Sequence, residues 1–167
     1  MPWSEFRQPQ FGGRHRPADC RPSSCVLLLI PYRQRLRHLQ VLLRHLHPVM
    51  QAQNLCYTIV VAEQHGNATF NKAKLMNAAF LESVKLGKFG CVIFHDVDLI
   101  PANRRIPYGC PAYPRHNSVS IDKFGYSLPY KQLVGGVLAM PIRHFLRVNG
   151  YSNLFWGWGG EDDDMET

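Results

Sequence analysis

Acidic residues are scarce in this chain of 167: 12 Asp and Glu stand against 19 Lys and Arg, for a net charge of +7. No C-x-x-C pair occurs among the five cysteines, which argues against a structural zinc site. Their odd number fits a secreted protein with one partner missing or a reduced cytosolic one, and composition does not choose. Long apolar runs are also absent. The longest, Val26 to Ile30, is too short to cross a bilayer, and no signal peptide precedes it. The chain therefore reads as soluble, with any membrane anchor lying outside it. Eight arginines fall in the first fifty residues, against Glu5 and Asp19 alone. They are spread over a tail, a loop and a helix rather than gathered on one recognition element, so a nucleic-acid partner is not expected.

What remains is a chain with 46% hydrophobic residues, enough for one globular core. Residues 1–24, rich in Pro, Gly and Arg, read as an extended segment ahead of a domain spanning 25–167. Cys25 to Pro31 is a continuous apolar strand. Leu36, Leu39, Leu42, Leu43, Leu46 and Met50 form a helical stripe over 36–50, which Pro48 should end or kink. A strand at Tyr57–Ala62, a helix over 71–85 and a strand at Cys91–Phe94 follow. This alternation predicts an α/β fold with a mostly parallel sheet flanked by helices. A loop-rich stretch over 101–135 precedes a short strand at 135–140 and a helix near 141–148.

Two motifs carry chemistry. The run Trp156-Gly157-Trp158-Gly159-Gly160-Glu161-Asp162-Asp163-Asp164 sets flat indole faces and hinge glycines beside four carboxylates. Indole suits a sugar ring, and a carboxylate accepts hydrogen bonds or a proton from a hydroxyl. The same acids also suit the first turn of a helix, and both readings hold together. Upstream, Asp96-Val97-Asp98 follows an apolar strand, at the strand end where open α/β sheets bind ligands. Paired carboxylates there offer hard oxygen ligands to a divalent cation, although loop caps often look the same. His45 and His47, two residues apart, do not share a helical face and read as surface or core-edge residues rather than metal ligands. Asn67-Ala68-Thr69 matches a glycosylation sequon, a short motif that also arises by chance.

In order and spacing these pieces resemble the β-1,4-galactosyltransferase family. The matching segments are Ile30-Pro31-Tyr32-Arg33-Gln34-Arg35, Phe70-Asn71-Lys72-Ala73-Lys74-Leu75, Phe94 to Pro101, Asp122 to Tyr130, Gly135-Gly136 and the acidic end. The resemblance implies a GT-A type fold, a UDP-sugar donor, Mn²⁺, and inverting β-1,4 transfer to a GlcNAc- or glucose-type acceptor. It places Pro31, Tyr32, Arg33, Arg35, Phe70 and Lys72 on the nucleotide side, with Asp96, Val97, Lys123, Leu133, Gly136 and Trp158 completing the donor site. Lysine stands at 72 where many members have arginine, which loses planar bidentate contact. Asp98 is the implied metal ligand, Tyr130, Glu161 and Asp162 hold the acceptor, and Asp162 is the implied general base. Trp158 would close over the donor phosphates on its glycine-flanked loop.

Two departures from the family pattern shape further expectations. Galactose-transferring members usually carry an aromatic residue where this chain has Leu133, which leaves room for the acetamido group of UDP-GalNAc. The further metal ligands and acceptor lid of the family fall beyond Thr167, so the sequence reads as a partial catalytic domain, incomplete at its C-terminus, of a Golgi-lumen enzyme. Such a piece either belongs to an active transferase or binds UDP or sugar without turnover. The resemblance also implies a Cys91–Cys110 disulfide, and gives Cys20 a partner upstream of this chain.

Overall fold

The structure, a computed structural model, describes residues 8–18 and 21–166. A six-stranded sheet has the order β1-β3-β2-β4-β6-β5. Its strands are β1 (Arg14–His15), β2 (Cys25–Tyr32), β3 (Cys56–Glu63), β4 (Cys91–His95), β5 (Arg115–His116) and β6 (Val137–Pro141). The helices are α1 (Leu36–Ala52), α2 (Lys72–Ser83), α3 (Ile142–Arg147) and α4 (Glu161–Glu166). The parallel unit expected from the alternation forms the centre: β2 pairs in parallel with β3 on one side and β4 on the other. Antiparallel pairs flank it at β1–β3, β4–β6 and β5–β6, so the sheet as a whole is mixed. The long loop after β4 carries no α-helix and brings the chain back as β6, antiparallel to β4.

β2 is apolar throughout because both of its faces are covered. Val26, Leu28 and Ile30 pack with Leu42, Leu46 and Met50 of α1, whereas Leu27 and Leu29 meet Ala73, Met76 and Phe80 of α2. β4 alternates likewise, Ile93 toward the first layer and Val92 and Phe94 toward the second. Of the anticipated helical stripe, Leu36 departs: it sits in the first turn of α1 and is 60% exposed.

Pro48 neither ends α1 nor sits at its surface. The helix runs on to Ala52 with Pro48 buried inside it, so packing of Val49 and Met50 in the core outweighs the lost amide bond. Part of the N-terminal segment joins the sheet, since Arg14 and His15 pair with Thr58 and Tyr57. Cys91 and Cys110 form the expected disulfide. A second joins Cys25 to Cys56, which are register partners at the starts of β2 and β3 with Cα atoms 4.6 Å apart. Sequence reasoning missed it, although both cysteines open apolar strands. Cys20 lies outside the described residues.

Candidate donor and acceptor site

The chain leaves β2 toward α1 on one face and returns through α2 on the other, so a crevice opens at the C-terminal ends of β2 and β4. Residues 33–35 follow β2 and residues 96–98 follow β4, at the two lips of that crevice. Arg35 Nη1 spans it to Asp98 Oδ2 at 3.3 Å. Arg33 donates to the Ala68 carbonyl at 2.6 Å, and its guanidinium lies 5.1 Å from the centre of the Phe70 ring. With Gln34, Glu63, Gln64, His65, Gly66 and Asn67 it lines an open cleft of about 410 Å³.

Beside this cleft is a narrower, charged cavity. Lys72, in the first turn of α2, lies 2.8 Å from Asp96 Oδ1 and 3.2 Å from Glu161 Oε1. Burial alone would push its ammonium down, but the summed attraction of both carboxylates and their hydrogen bonds lifts it above the ordinary lysine range. Asp162 joins Lys72, Asp96, Gly136 and Glu161 in lining this cavity, with Phe94 and Tyr151 as apolar walls. The Asp162 carboxylate presses so closely on Gly135 that a side chain there would collide with it.

The Gly135-Gly136 turn is held from several sides. Asp96 N–H donates to Gly136 O at 2.9 Å. Ser118 Oγ accepts from Val137 N–H at 2.8 Å and donates to Gly135 O at 2.7 Å. Gly136 has φ +85°, and a Cβ there would meet Leu99 and Ser118. Below Asp96, His95 is 1% exposed. Its Nδ1 contacts the Asp96 carbonyl at 2.8 Å and its Nε2 the Tyr108 hydroxyl at 3.0 Å. A carbonyl only accepts, so Nδ1 carries the proton and Tyr108 donates to Nε2. Burial pushes the imidazole down, which keeps it neutral. His95 therefore braces the strand end rather than facing the crevice.

The acidic end is tied to α2. Asn71 caps α2 by accepting from Lys74 N–H at 2.8 Å and donates to the Asn153 carbonyl at 2.9 Å. Asn77 donates to the Tyr151 carbonyl at 2.7 Å, and Gly157 N–H donates to Phe70 O at 2.8 Å. Neither asparagine was singled out from sequence, though Asn71 adjoins Lys72 in a quoted motif. Beyond Gly157, at φ +91°, Trp158 is 93% exposed, followed by Gly159 at φ +88°.

The sequence-derived residues thus divide. Lys72, Asp96, Gly136, Glu161 and Asp162 share one cavity, while Arg33 pairs with Phe70 and Arg35 with Asp98 outside its lining. Pro31 and Val97 are buried, and Tyr32 packs on the core, so these three lie outside the linings of both the cleft and the cavity. Glu161, expected beside the acceptor, is 5% exposed and engaged by Lys72. Tyr130, expected with Glu161 and Asp162, instead donates to Asp163 at 2.7 Å, which raises its hydroxyl to about 12. Leu133, half-buried, precedes Val134 of the cavity wall, and Lys123 sits on an exposed turn over Phe124. Among the described residues no group of three His, Cys, Asp or Glu side chains is placed to hold a metal ion. Asp98 alone, shared with Arg35, does not make a cage for a divalent cation.

A parallel α/β core with carboxylates and cations at its switch point has the architecture of a GT-A glycosyltransferase. Solved structures agree. A Drosophila β-1,4-galactosyltransferase 7 variant in complex with manganese, UDP-Gal and xylobiose superposes with TM-score 0.78 at 32% identity, over 86% of this chain and 59% of that one. A Pyrobaculum calidifontis mannosyltransferase, at 13% identity and TM-score 0.51, shares the fold. Residues 4–111 match the N-terminal region of glycosyl transferase group 7, and residues 115–167 match the N-terminal domain of galactosyltransferase. Rat β-1,4-galactosyltransferase 3 is 50% identical over 95% of this chain and 40% of its own length. Human β-1,4-galactosyltransferase 2 is 48% identical over 93% of this chain and 42% of its own length. The chain belongs to the β-1,4-galactosyltransferase family, and it spans about two fifths of the length of these curated relatives.

Proposed function

We propose that this chain forms the donor side of an inverting hexosyltransferase that moves galactose from UDP-galactose to a GlcNAc- or glucose-type acceptor in β-1,4 linkage. The supporting observation is the convergence of Lys72, Asp96, Glu161 and Asp162 in one cavity beside the Arg33 cleft. Arg33, stacked on Phe70, receives the nucleotide, and Arg35 exchanges Asp98 for a diphosphate oxygen. Lys72 fixes the Asp96 carboxylate against the donor sugar.

Asp162 takes the acceptor hydroxyl proton as that oxygen bonds to the anomeric carbon. The bond from that carbon to the phosphate oxygen breaks on the opposite face, and UDP leaves with the electron pair. A well-placed base contributes roughly 10²–10⁴-fold, and the arginines stabilise charge growing on the leaving diphosphate. Trp158, swinging on Gly157 and Gly159, closes over the donor and excludes water. Manganese accompanies the donor in the Drosophila complex. Because Asp98 alone is no cage, no step here runs through a metal, and Mn²⁺ dependence is assigned to the enzyme as a whole.

Leu133, next to Val134 of the cavity wall and smaller than an aromatic residue, supports a second donor, UDP-GalNAc. A Leu133→Tyr variant should then shift preference toward UDP-galactose, and an unchanged preference would remove the idea. The compartment is the Golgi lumen, in keeping with two disulfides; among the described residues no helix is long and apolar enough to cross a membrane.

The deciding experiment titrates the chain with UDP, UDP-galactose and UDP-GalNAc, then follows sugar transfer to GlcNAc in a full-length context. Arg33→Ala should weaken UDP binding, whereas Asp162→Asn should leave UDP binding intact and abolish transfer. UDP binding with no transfer by the full-length protein would favour the alternative, a family member that holds nucleotide without turnover. No binding of any donor would overturn both readings.

A further inference from the structure

The loop between β3 and α2 carries Asn67-Ala68-Thr69. Asn67 and Thr69 are both exposed, and the position between them is not proline. The loop is anchored through its backbone, not through these side chains. Arg33 binds the Ala68 carbonyl at 2.6 Å, Gln64 binds the Thr69 carbonyl at 3.0 Å, and Gly66 turns the chain at φ +78°. Among the described residues the Asn67 side chain has no hydrogen-bond or ionic partner, so it is free to react. Chance matches to the motif commonly fall on buried strands or helices, or in chains kept in reducing compartments. Here the site is an exposed loop, and two disulfides mark an oxidising route.

We propose that Asn67 is an N-glycosylation site whose glycan stands across the mouth of the Arg33 cleft. In the reaction the Asn67 side-chain nitrogen bonds to C1 of a sugar, and that carbon's bond to phosphate breaks. The co-reactant is a lipid-diphosphate-linked oligosaccharide of the secretory route. The lipid diphosphate leaves with the electron pair, and the amide loses one proton to a base. The Thr69 hydroxyl is the recognition element that the modifying enzyme requires two residues on. Asn67 itself lines the cleft with Arg33, Gln34 and His65, so the first sugars extend from its rim. A branched, hydrated chain rooted there slows entry of a ligand without touching the Lys72–Asp96 cavity.

The test expresses the full-length protein in a eukaryotic secretory host and maps Asn67 peptides by mass spectrometry, before and after a glycan-cleaving amidase. The expected result is a glycopeptide that the amidase converts to one carrying aspartate at 67. Thr69→Ser should keep the modification and Thr69→Val should lose it, both in folded protein with intact disulfides. Unmodified Asn67 in such protein would overturn the site. The second reading is the association rate of UDP on the same sample before and after the amidase, and it rests on the nucleotide assignment above. A several-fold faster rate after cleavage is expected, and equal rates would overturn the placement across the cleft. If UDP binds neither sample, the nucleotide assignment fails, and the peptide map still decides the site.

Discussion

Lys72→Met removes the cation shared by Asp96 and Glu161. The lysine side chain is 21% exposed and the Glu161 side chain 6%, with Asp96 at 29%. Methionine fills the same volume and keeps the helical propensity of the first turn of α2, so packing changes little. What changes is charge. Glu161, itself nearly shut off from water, is left without its cation beside Asp96 and Asp162. Removing one partner of a buried pair costs about 3–5 kcal/mol, and water reaching Asp96 puts this case near the lower end. With a urea slope of roughly 2 kcal/mol/M, the unfolding midpoint should fall by about 1.5 M. Lys72→Arg keeps the charge and should lose little. The double variant Lys72→Met/Glu161→Leu removes both ends and should recover most of the loss. A single-variant cost below about 0.5 kcal/mol would refute the argument. So would a double variant no more stable than the single, because the stranded carboxylate would then not be the cause.

Other consequences can be read from stability measurements. Burial, then the nearby His15, pushes His47 from 6.5 to about 4, while its Nδ1 shares a 2.8 Å hydrogen bond with the Tyr57 hydroxyl. The unfolded chain therefore binds a proton that the folded chain refuses, so stability is full above about pH 6.5 and is lost as pH falls toward 4. Screening at this half-buried ring limits the loss to about 1–2 kcal/mol. His47→Asn should flatten that slope in urea titrations, and an unaltered slope would count against the assignment. Gly136→Ala should cost about 3 kcal/mol or more, since a positive φ and contacts with Leu99 and Ser118 oppose a methyl together; a near-neutral thermal melt would contradict it. Asn71→Ala should lose roughly 1–2 kcal/mol through the α2 cap and its tie to Asn153, again read in urea.

How much of this was legible beforehand depends on the range over which each signal acts. The apolar runs of β2, β3 and β4 and the stripes of α1 and α2 are local, and they located these elements within a residue or two. Pro48 does not end α1, because a local rule, the missing amide, competes with core packing that sequence does not display. The strand direction of β6 and the Cys25–Cys56 bridge both follow from which strands become neighbours, a property of the whole sheet. The site shows the same division. Asp96, Lys72 and Asp162 stand out as motif residues, but sequence distance hides that one lysine sits between Asp96 and Glu161. That geometry changes what Glu161 does. The resemblance assigns it to the acceptor, and in the structure its Oε1 is shared with the Lys72 ammonium at 3.2 Å, on a side chain only 6% exposed. Its neighbour Asp162, whose carboxylate lies against Gly135, has no lysine partner among the described residues. Of the two adjacent acids, the helix start thus turns Glu161 inward onto Lys72 and sets Asp162 against Gly135, where the proposed base would stand.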